Sequence, residues 1–158
     1  KISFLNKFTK ERDIKMASVR WADLHRWSLV WVEYGTPKKD ILAIDDLDCV
    51  DCNSKYKHGV NHDNEFSYLH MGIVISKNIT NSSITILPLT ETKIGDLENI
   101  SRVVLLKKDY SFINKDTTIL IDNITTIEKK KRVIKIELKW IPAPLRRKIQ
   151  KAMFNSFK

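Results

Sequence analysis

Residues 70–93 read HMGIVISKNITNSSITILPLTETK. Two short apolar runs rich in β-branched residues flank a polar break at residues 77–83, which predicts an antiparallel β-hairpin. Pro88 has no backbone N–H to give to a neighbouring strand, so we expect strand pairing to stop close to it. Because the two strands run antiparallel, the start of the first lies beside the end of the second. His70 and Thr90 are therefore expected to be neighbours.

The composition favours one domain, residues 1–158, because a chain of 158 residues that is 42% hydrophobic can bury a core. Its longest apolar runs are about five residues, far short of the roughly 20 that span a bilayer. No export signal is evident, so we expect a cytoplasmic protein without membrane contact. The net charge of +9 is uneven, since residues 129–158 hold eleven Lys and Arg against one acid, Glu137. That excess fits either a solvated face or a surface that attracts phosphates.

Periodicity predicts the remaining elements. Apolar residues at helical spacing, from Ile14 to Leu24, predict a helix over residues 9–26, within an N-terminal extension of residues 1–26. Residues 27–35 are dense in β-formers and predict a strand, whereas residues 38–67 are polar and aperiodic and predict a long loop. Pro144 at a first helical turn predicts a closing C-terminal helix. Further short strands are predicted at 102–106, 117–122 and 133–138. We therefore expect an α+β, mainly β fold, with a small antiparallel sheet or barrel.

The predicted loop contains a pattern that suits metal binding. Cys49 and Cys52 form a Cys-x-x-Cys pair, and His58 and His62 stand four residues apart. Both pairs have the spacing of zinc half-sites, although the segment between them is shorter than the usual finger linker. A structural zinc ion, two free thiols and a disulfide or redox pair are the alternatives.

Polar residues cluster where the predicted strands end. Thr90, Glu91 and Lys93 follow the second hairpin strand, and Asp122 ends another apolar strand. With His70, these groups are expected to gather at one end of the sheet, where they suit acid–base chemistry on a charged ester without a metal. Each also has a structural explanation, as a strand-end hydroxyl, a turn cap or a half-buried histidine. The chain has only four glycines and no phosphate-binding glycine loop, which argues against nucleoside triphosphate chemistry.

Five segments in order resemble the PemK/MazF family of toxin endoribonucleases. They are SLVWVEYG (28–35), MGIVIS (71–76), ILPLTETK (86–93), LIDNITTIEKKKRV (120–133) and LRRKIQKAMFNSF (145–157). The resemblance covers residues 27–158. It implies an SH3-like small antiparallel β-barrel of the PemK/MazF/CcdB type, with an N-terminal and a C-terminal helix and the long loop at 38–67. PLTETK is also similar to the turn of ToxN-type toxins, which RNA antitoxins neutralise.

The resemblance also implies a function. Its members are homodimers that cut single-stranded RNA by 2′-hydroxyl attack, without a catalytic cofactor, until an antitoxin blocks them; here the antitoxin would be a protein or an RNA. The implied catalytic residues are His70, Thr90, Glu91 and Asp122. The implied RNA-binding residues are Lys93, Asn123, Thr125, Lys129 and Arg132.

The chain departs from the family at two arginines. His70 followed by Met71 stands where the family has an arginine before its Pro-Val-Val strand, and Thr125 stands where it has the arginine of Gln-Ile-Arg-Thr. If the chemistry is reassigned, His70 acts as base or acid near neutral pH. The alternatives are a non-catalytic CcdB-like toxin that binds a gyrase and a zinc-stabilised nucleic-acid-binding module.

Overall fold

The computed structural model describes residues 19–37, 60–61, 66–76 and 78–157. The strands of its main sheet are β1 (Leu29–Glu33), β4 (Leu69–Val74), β5 (Ser83–Glu91), β6 (Arg102–Leu105), β7 (Thr117–Leu120), β8 (Thr125–Glu128) and β9 (Val133–Leu138). They lie in the order β6-β7-β5-β4-β1-β9, and β8 pairs with the first half of β5. All their pairings are antiparallel. The expected α+β, mainly β fold is confirmed.

The hairpin predicted from residues 70–93 is β4–β5. Its ladder pairs Gly72 with Pro88, Ile73 with Leu87 and Val74 with Ile86. Pairing between these two strands stops at Pro88, as expected from its missing N–H. Beyond that point β5 continues and pairs with β7 instead, with Thr90 opposite Thr118. One long strand therefore joins the two halves of the sheet.

The sheet buries apolar side chains on both faces. On one face Leu29, Ile73, Leu89 and Ile119 pack under the C-terminal helix α2 (Ala143–Ser156). Leu145 and Ile149 of this helix are fully buried because they lie four residues apart, on the same side of it. On the other face β1, β4, β5, β8 and β9 enclose a second cluster. The predicted C-terminal helix is confirmed, with Pro144 in its first turn.

The N-terminal helix prediction is wrong for residues 19–26. A single 3-10 turn, Trp21–Asp23, is followed by extended backbone at Leu24. Trp21 and Leu24 nevertheless pack on the second cluster. An apolar i, i+3 pair is also brought to one side by a 3-10 turn, so their spacing did not require an α-helix. Residues 9–18 lie outside the described residues.

Three further features complete the fold. Among the described strands, no pairing joins β6 to β9, so the sheet is open rather than a closed barrel. Within the predicted loop, β3 (Val60–Asn61) pairs in parallel with β2 (Thr36–Pro37); residues 38–59 and 62–65 lie outside the described residues. A four-residue helix, α1 (Lys129–Arg132), connects β8 to β9. No helix in the described part of the chain is long and apolar enough to cross a membrane.

Candidate functional site

One row of side chains crosses the sheet from β1 to β7, and we call it the His70 row. Val32 pairs with His70, and Thr90 pairs with Thr118. The β4–β5 ladder ends at Gly72 and Pro88, and the contact of the His70 ring with the Leu89 carbonyl brings this ring to the residue before Thr90. Residues opposite each other in a ladder point to the same face of the sheet. His70 therefore reaches the part of β5 that carries Thr90, and the alternation of side chains along each strand puts both residues on the same face.

His70 is half-buried among aromatic rings. Its ring centroid lies 4.5 Å from that of Phe66 and 6.4 Å from that of Tyr34. The pKa of His70 is lowered, mainly by burial and also by the positive charge of Lys115. The hydrogen bond with the Leu89 carbonyl acts in the opposite direction but does not cancel these effects. The imidazole is therefore mainly neutral at pH 7 and can accept a proton.

Lys115 and Glu91 form an ion pair at the same end of the sheet. Lys115 Nζ lies 2.6 Å from Glu91 Oε2, and more than half of each side chain is exposed. Sequence reasoning named Glu91 and missed Lys115. Only the register between β5 and β7 indicates this lysine, because Glu91 pairs with Thr117, two residues after Lys115. Together these groups place a lysine cation near the histidine.

A second polar cluster continues the row towards β6. Thr118 Oγ1 donates to Asp96 Oδ2 over 2.8 Å, and Arg102 contacts both Asp96 and Asp122. The backbone N–H of Lys93 also donates to Asp96, and these bonds, with Arg102 nearby, lower the pKa of Asp96. Sequence reasoning missed Arg102 as a site residue. Its charge is offset by the two carboxylates.

The structure separates Asp122 from Glu91. β7 runs antiparallel to β5, so the end of β7 lies beside the middle of β5, whereas its start lies beside Glu91. Asp122 belongs to a 3-10 turn, Ile121–Asn123, that leads from β7 to β8. The catalytic residues implied by the resemblance are therefore divided. Glu91 follows Thr90 in β5 and points to the other face of the sheet, and Asp122 lies beside Arg102.

The remaining implied RNA-binding residues are dispersed. Lys93 is exposed, and the Thr125 hydroxyl donates to the Asn123 carbonyl over 3.2 Å. Arg132 Nη1 donates to the Glu33 carbonyl over 3.2 Å. This bond lies at the same end of β1 as His70, because Val32 pairs with His70 on one side and with Val133 on the other. Lys129 differs, because it is buried and its ammonium bonds the Ile79 carbonyl. This contact anchors α1 to the hairpin turn.

The zinc candidates Cys49, Cys52, His58 and His62 lie outside the described residues. Within the described ranges, no group of three or more His, Cys, Asp or Glu side chains could hold a metal ion. Asn61 links β3 to Tyr34 and Phe66, since its side-chain amide donates to their carbonyls over 2.8 and 2.9 Å. These bonds help hold the aromatic rings beside His70.

Comparison with known proteins gives the fold. No family model and no curated protein matches the sequence. MazF from Deinococcus radiodurans superposes with a TM-score of 0.51 at 13% identity, over 84% of this chain and 94% of that one. Mycobacterium tuberculosis toxin MazF-mt6 scores 0.47 at 15% identity (59% and 90% of the two chains), and an Mtb toxin scores 0.44 at 16% identity (56% and 92%). The likeness to the Deinococcus protein shows that this chain has the PemK/MazF-like toxin fold.

Proposed function

We propose that this protein is the toxin of a toxin–antitoxin pair and cuts single-stranded RNA as an endoribonuclease, with no metal ion in the reaction. The observation that supports the proposal is the contact of the half-buried His70 with the Leu89 carbonyl, one residue before Thr90, on a MazF-like sheet. An uncharged histidine next to a hydroxyl provides a proton acceptor and a hydrogen-bond donor at one point. Acid–base cleavage of RNA needs both.

In the proposed reaction, the ribose 2′-oxygen attacks the adjacent phosphorus. The 2′-O–P bond forms, the P–O5′ bond breaks, and the products carry a 2′,3′-cyclic phosphate and a 5′-hydroxyl. The 2′-hydroxyl proton passes to the neutral imidazole of His70, because the lowered pKa leaves a ring nitrogen free to accept it. The Thr90 hydroxyl donates to a non-bridging phosphoryl oxygen as negative charge develops there.

Lys115 supplies positive charge and the second proton. Among the described residues, its ammonium is a cation that acts on the His70 pKa and is exposed enough to meet a phosphate. It stabilises the crowded phosphorane and gives a proton to the leaving 5′-oxygen. Glu91 acts through it as a positioning residue, holding Lys115 Nζ at 2.6 Å. Arg102 is less suited to this role because Asp96 and Asp122 offset its charge.

The aromatic rings at the site fit an unpaired base. Phe66 is half-buried and its ring is tilted by 53° against His70. Single-stranded RNA is commonly recognised by stacking of splayed bases on such rings. We further propose a homodimer that an antitoxin, protein or RNA, holds inactive, as the toxin fold suggests.

The test is incubation of the purified protein with a long single-stranded RNA in excess EDTA. Discrete fragments ending in 2′,3′-cyclic phosphate are expected, and RNA that stays intact would overturn the proposal. His70→Ala should abolish cleavage while the far-UV circular dichroism shows that the variant remains folded. Thr90→Val, which keeps the side-chain volume, should slow cleavage by about 10²-fold, as for the loss of one oxyanion donor.

His25→Ala is the matched control. His25 stacks on Trp140 with ring centroids 5.1 Å apart, just ahead of β1, whereas His70 pairs near the far end of β1. The same side-chain truncation at this distant position should leave the cleavage rate unchanged. Equal losses in the two variants would contradict a role for His70 in the chemistry.

A further inference from the structure

The exposed side of α2 carries positive charge only. Arg147, Lys148 and Lys151 are exposed, and with 3.6 residues per turn they fall within about 100° of the helix circumference. Leu145 and Ile149 are buried on the other side. The chain has no Asp or Glu after Glu137. We call these three cations the α2 basic face.

The three cations have no counterion in the described part of the chain. The ion pairs found there involve other basic residues, namely Arg20, Arg102, Lys115, Lys135 and Lys139. Arg146, the fourth cation of the helix, is engaged instead with the carbonyl of Ile141 over 2.8 Å. A cluster of unpaired like charges on one helix is unfavourable unless an anion neutralises it. The α2 basic face therefore fits an anionic partner, and a second copy of the same face would be repelled.

A groove connects this face to the edge of the sheet. Lys148 and Lys151 line one side of it, and Asp96, Ile100 and Arg102 line the other, around a volume of about 310 Å³. β6 is the edge strand, so the groove lies at the sheet edge to which Thr118, Asp96 and Arg102 extend the His70 row. Three strand spacings, about 14 Å, separate His70 in β4 from β6. An extended polymer bound at His70 that continues along the His70 row would reach the groove after this distance.

We propose that the α2 basic face binds the phosphate backbone of the RNA a few nucleotides away from the cleaved bond; this inference rests on the proposed function. The substrate of that reaction is a long polyanion that must continue past the site. The edge of β6 and the groove give it a path. Contacts to the backbone carry no base preference, so this surface adds affinity and orientation to any sequence.

The experiment measures salt dependence of binding with an uncleavable probe. A fluorescent single-stranded RNA with 2′-O-methyl riboses is titrated by anisotropy between about 50 and 200 mM salt. For a single strand, each lost phosphate contact reduces the magnitude of the slope of log affinity against log salt by about 0.7. The triple variant Arg147→Gln, Lys148→Gln, Lys151→Gln should therefore reduce this magnitude by about 2. Gln retains helix propensity, and circular dichroism verifies that α2 persists.

A second triple variant changes the net charge by the same amount elsewhere. Arg20→Gln, Lys135→Gln and Lys139→Gln remove cations that are all ion-paired, with Asp23 or Glu137. Its slope should stay near that of the wild type. Equal slopes in the two triple variants would overturn the inference, since net charge alone would then explain binding, and an unchanged slope in the α2 variant would overturn it too.

The two proposals fail separately. If long RNA stays intact in the cleavage assay but the α2 triple variant shows a smaller salt dependence of binding, the proposed cleavage reaction is wrong and the proposed RNA-binding role of the α2 basic face is supported. If RNA is cut and the slope is unaffected, the chemistry stands and the α2 basic face does not bind the backbone.

Discussion

Gly72 lets Tyr34 approach the His70 row, and a methyl group there should disturb this packing. A Cβ at position 72 would lie 3.0 Å from Tyr34 Oη, 3.2 Å from Ile86 Cδ1 and 3.6 Å from Val32 Cγ2. The first two distances are too short without movement, and Tyr34 is only 4% exposed. Such overpacking costs about 1–3 kcal/mol. Replacing glycine within a strand returns about 0.5–1 kcal/mol of chain entropy. Gly72→Ala should therefore lower the free energy of unfolding by about 1 kcal/mol.

Tyr34→Phe should reverse most of this loss, because the hydroxyl is the atom in closest conflict. The Tyr34 hydroxyl is buried without a hydrogen-bond partner among the described residues, and burial raises its pKa, so it is neutral in any practical assay. Its removal relieves an unmet desolvation cost of about 1 kcal/mol or more. In the double variant the new methyl occupies the vacated space. We expect a coupling free energy of about 1 kcal/mol between the two substitutions.

Urea unfolding of the wild type, both single variants and the double variant measures this coupling. Gly95→Ala serves as the control, since Gly95 has a φ of 90° and no described atom lies within 4 Å of the position that a Cβ would take. Its cost is backbone strain, so it should be the same whether or not the Tyr34 hydroxyl is present. If Gly72→Ala costs the same in both backgrounds, the contact with the hydroxyl does not determine the packing and the reasoning is refuted.

Three further outcomes are expected. Lys115→Gln removes a charge that lowers the pKa of His70, so this pKa should move to higher pH; an NMR titration that shows no upward shift would contradict the placement of Lys115 near His70. Hydrogen bonds from the Lys93 N–H and from Thr118 lower the pKa of Asp96 in the folded protein. The ionised Asp96 therefore stabilises the folded state at pH values above its pKa in the unfolded chain, near 4. This stabilisation is lost as the pH falls through the pKa of the folded state. Unfolding midpoints of Asp96→Asn should lack this acid-side decline, and parallel pH curves would argue against it. Lys129→Met should cost about 1–3 kcal/mol, because the Ile79 carbonyl loses its partner, whereas Lys130→Met, at an exposed neighbour, should cost little. Similar losses would contradict an anchoring role for Lys129.

The local parts of the fold could be predicted from the sequence because their signals are local. Two short β-branched runs and Pro88 predicted the β4–β5 hairpin and the end of its ladder, and Pro144 with apolar residues four apart predicted α2. The helix over residues 9–26 fails at Trp21 and Leu24, where packing on the sheet selects a 3-10 turn. Apolar spacing of three does not distinguish these two helices.

The partners within the site depend on the pairing of β5 with β7, which no local pattern specifies. This register brings Lys115 to Glu91 and separates Asp122 from them. The burial of Lys129 was hidden for another reason, since a run of four basic residues indicates a solvated segment. Here the first of the four folds back onto the Ile79 carbonyl, and Glu128 accepts from the backbone N–H of Lys131.

His70 stands where the family that this chain resembles has an arginine. In the proposed reaction, another residue must therefore supply the positive charge that an arginine would bring. An arginine at this position is always charged and can serve as a transition-state cation. In the proposed reaction His70, whose pKa is lowered mainly by burial, serves as a base and supplies no positive charge. The charge that a phosphorane requires must come from a neighbour, and Arg102 is offset by two carboxylates. Lys115 faces one carboxylate, that of Glu91, in a largely exposed pair that solvent screens, so its charge stays accessible to a phosphate. In the proposed reaction the base and the cation are therefore different residues, and His70→Ala and Lys115→Gln should each abolish cleavage of a long single-stranded RNA.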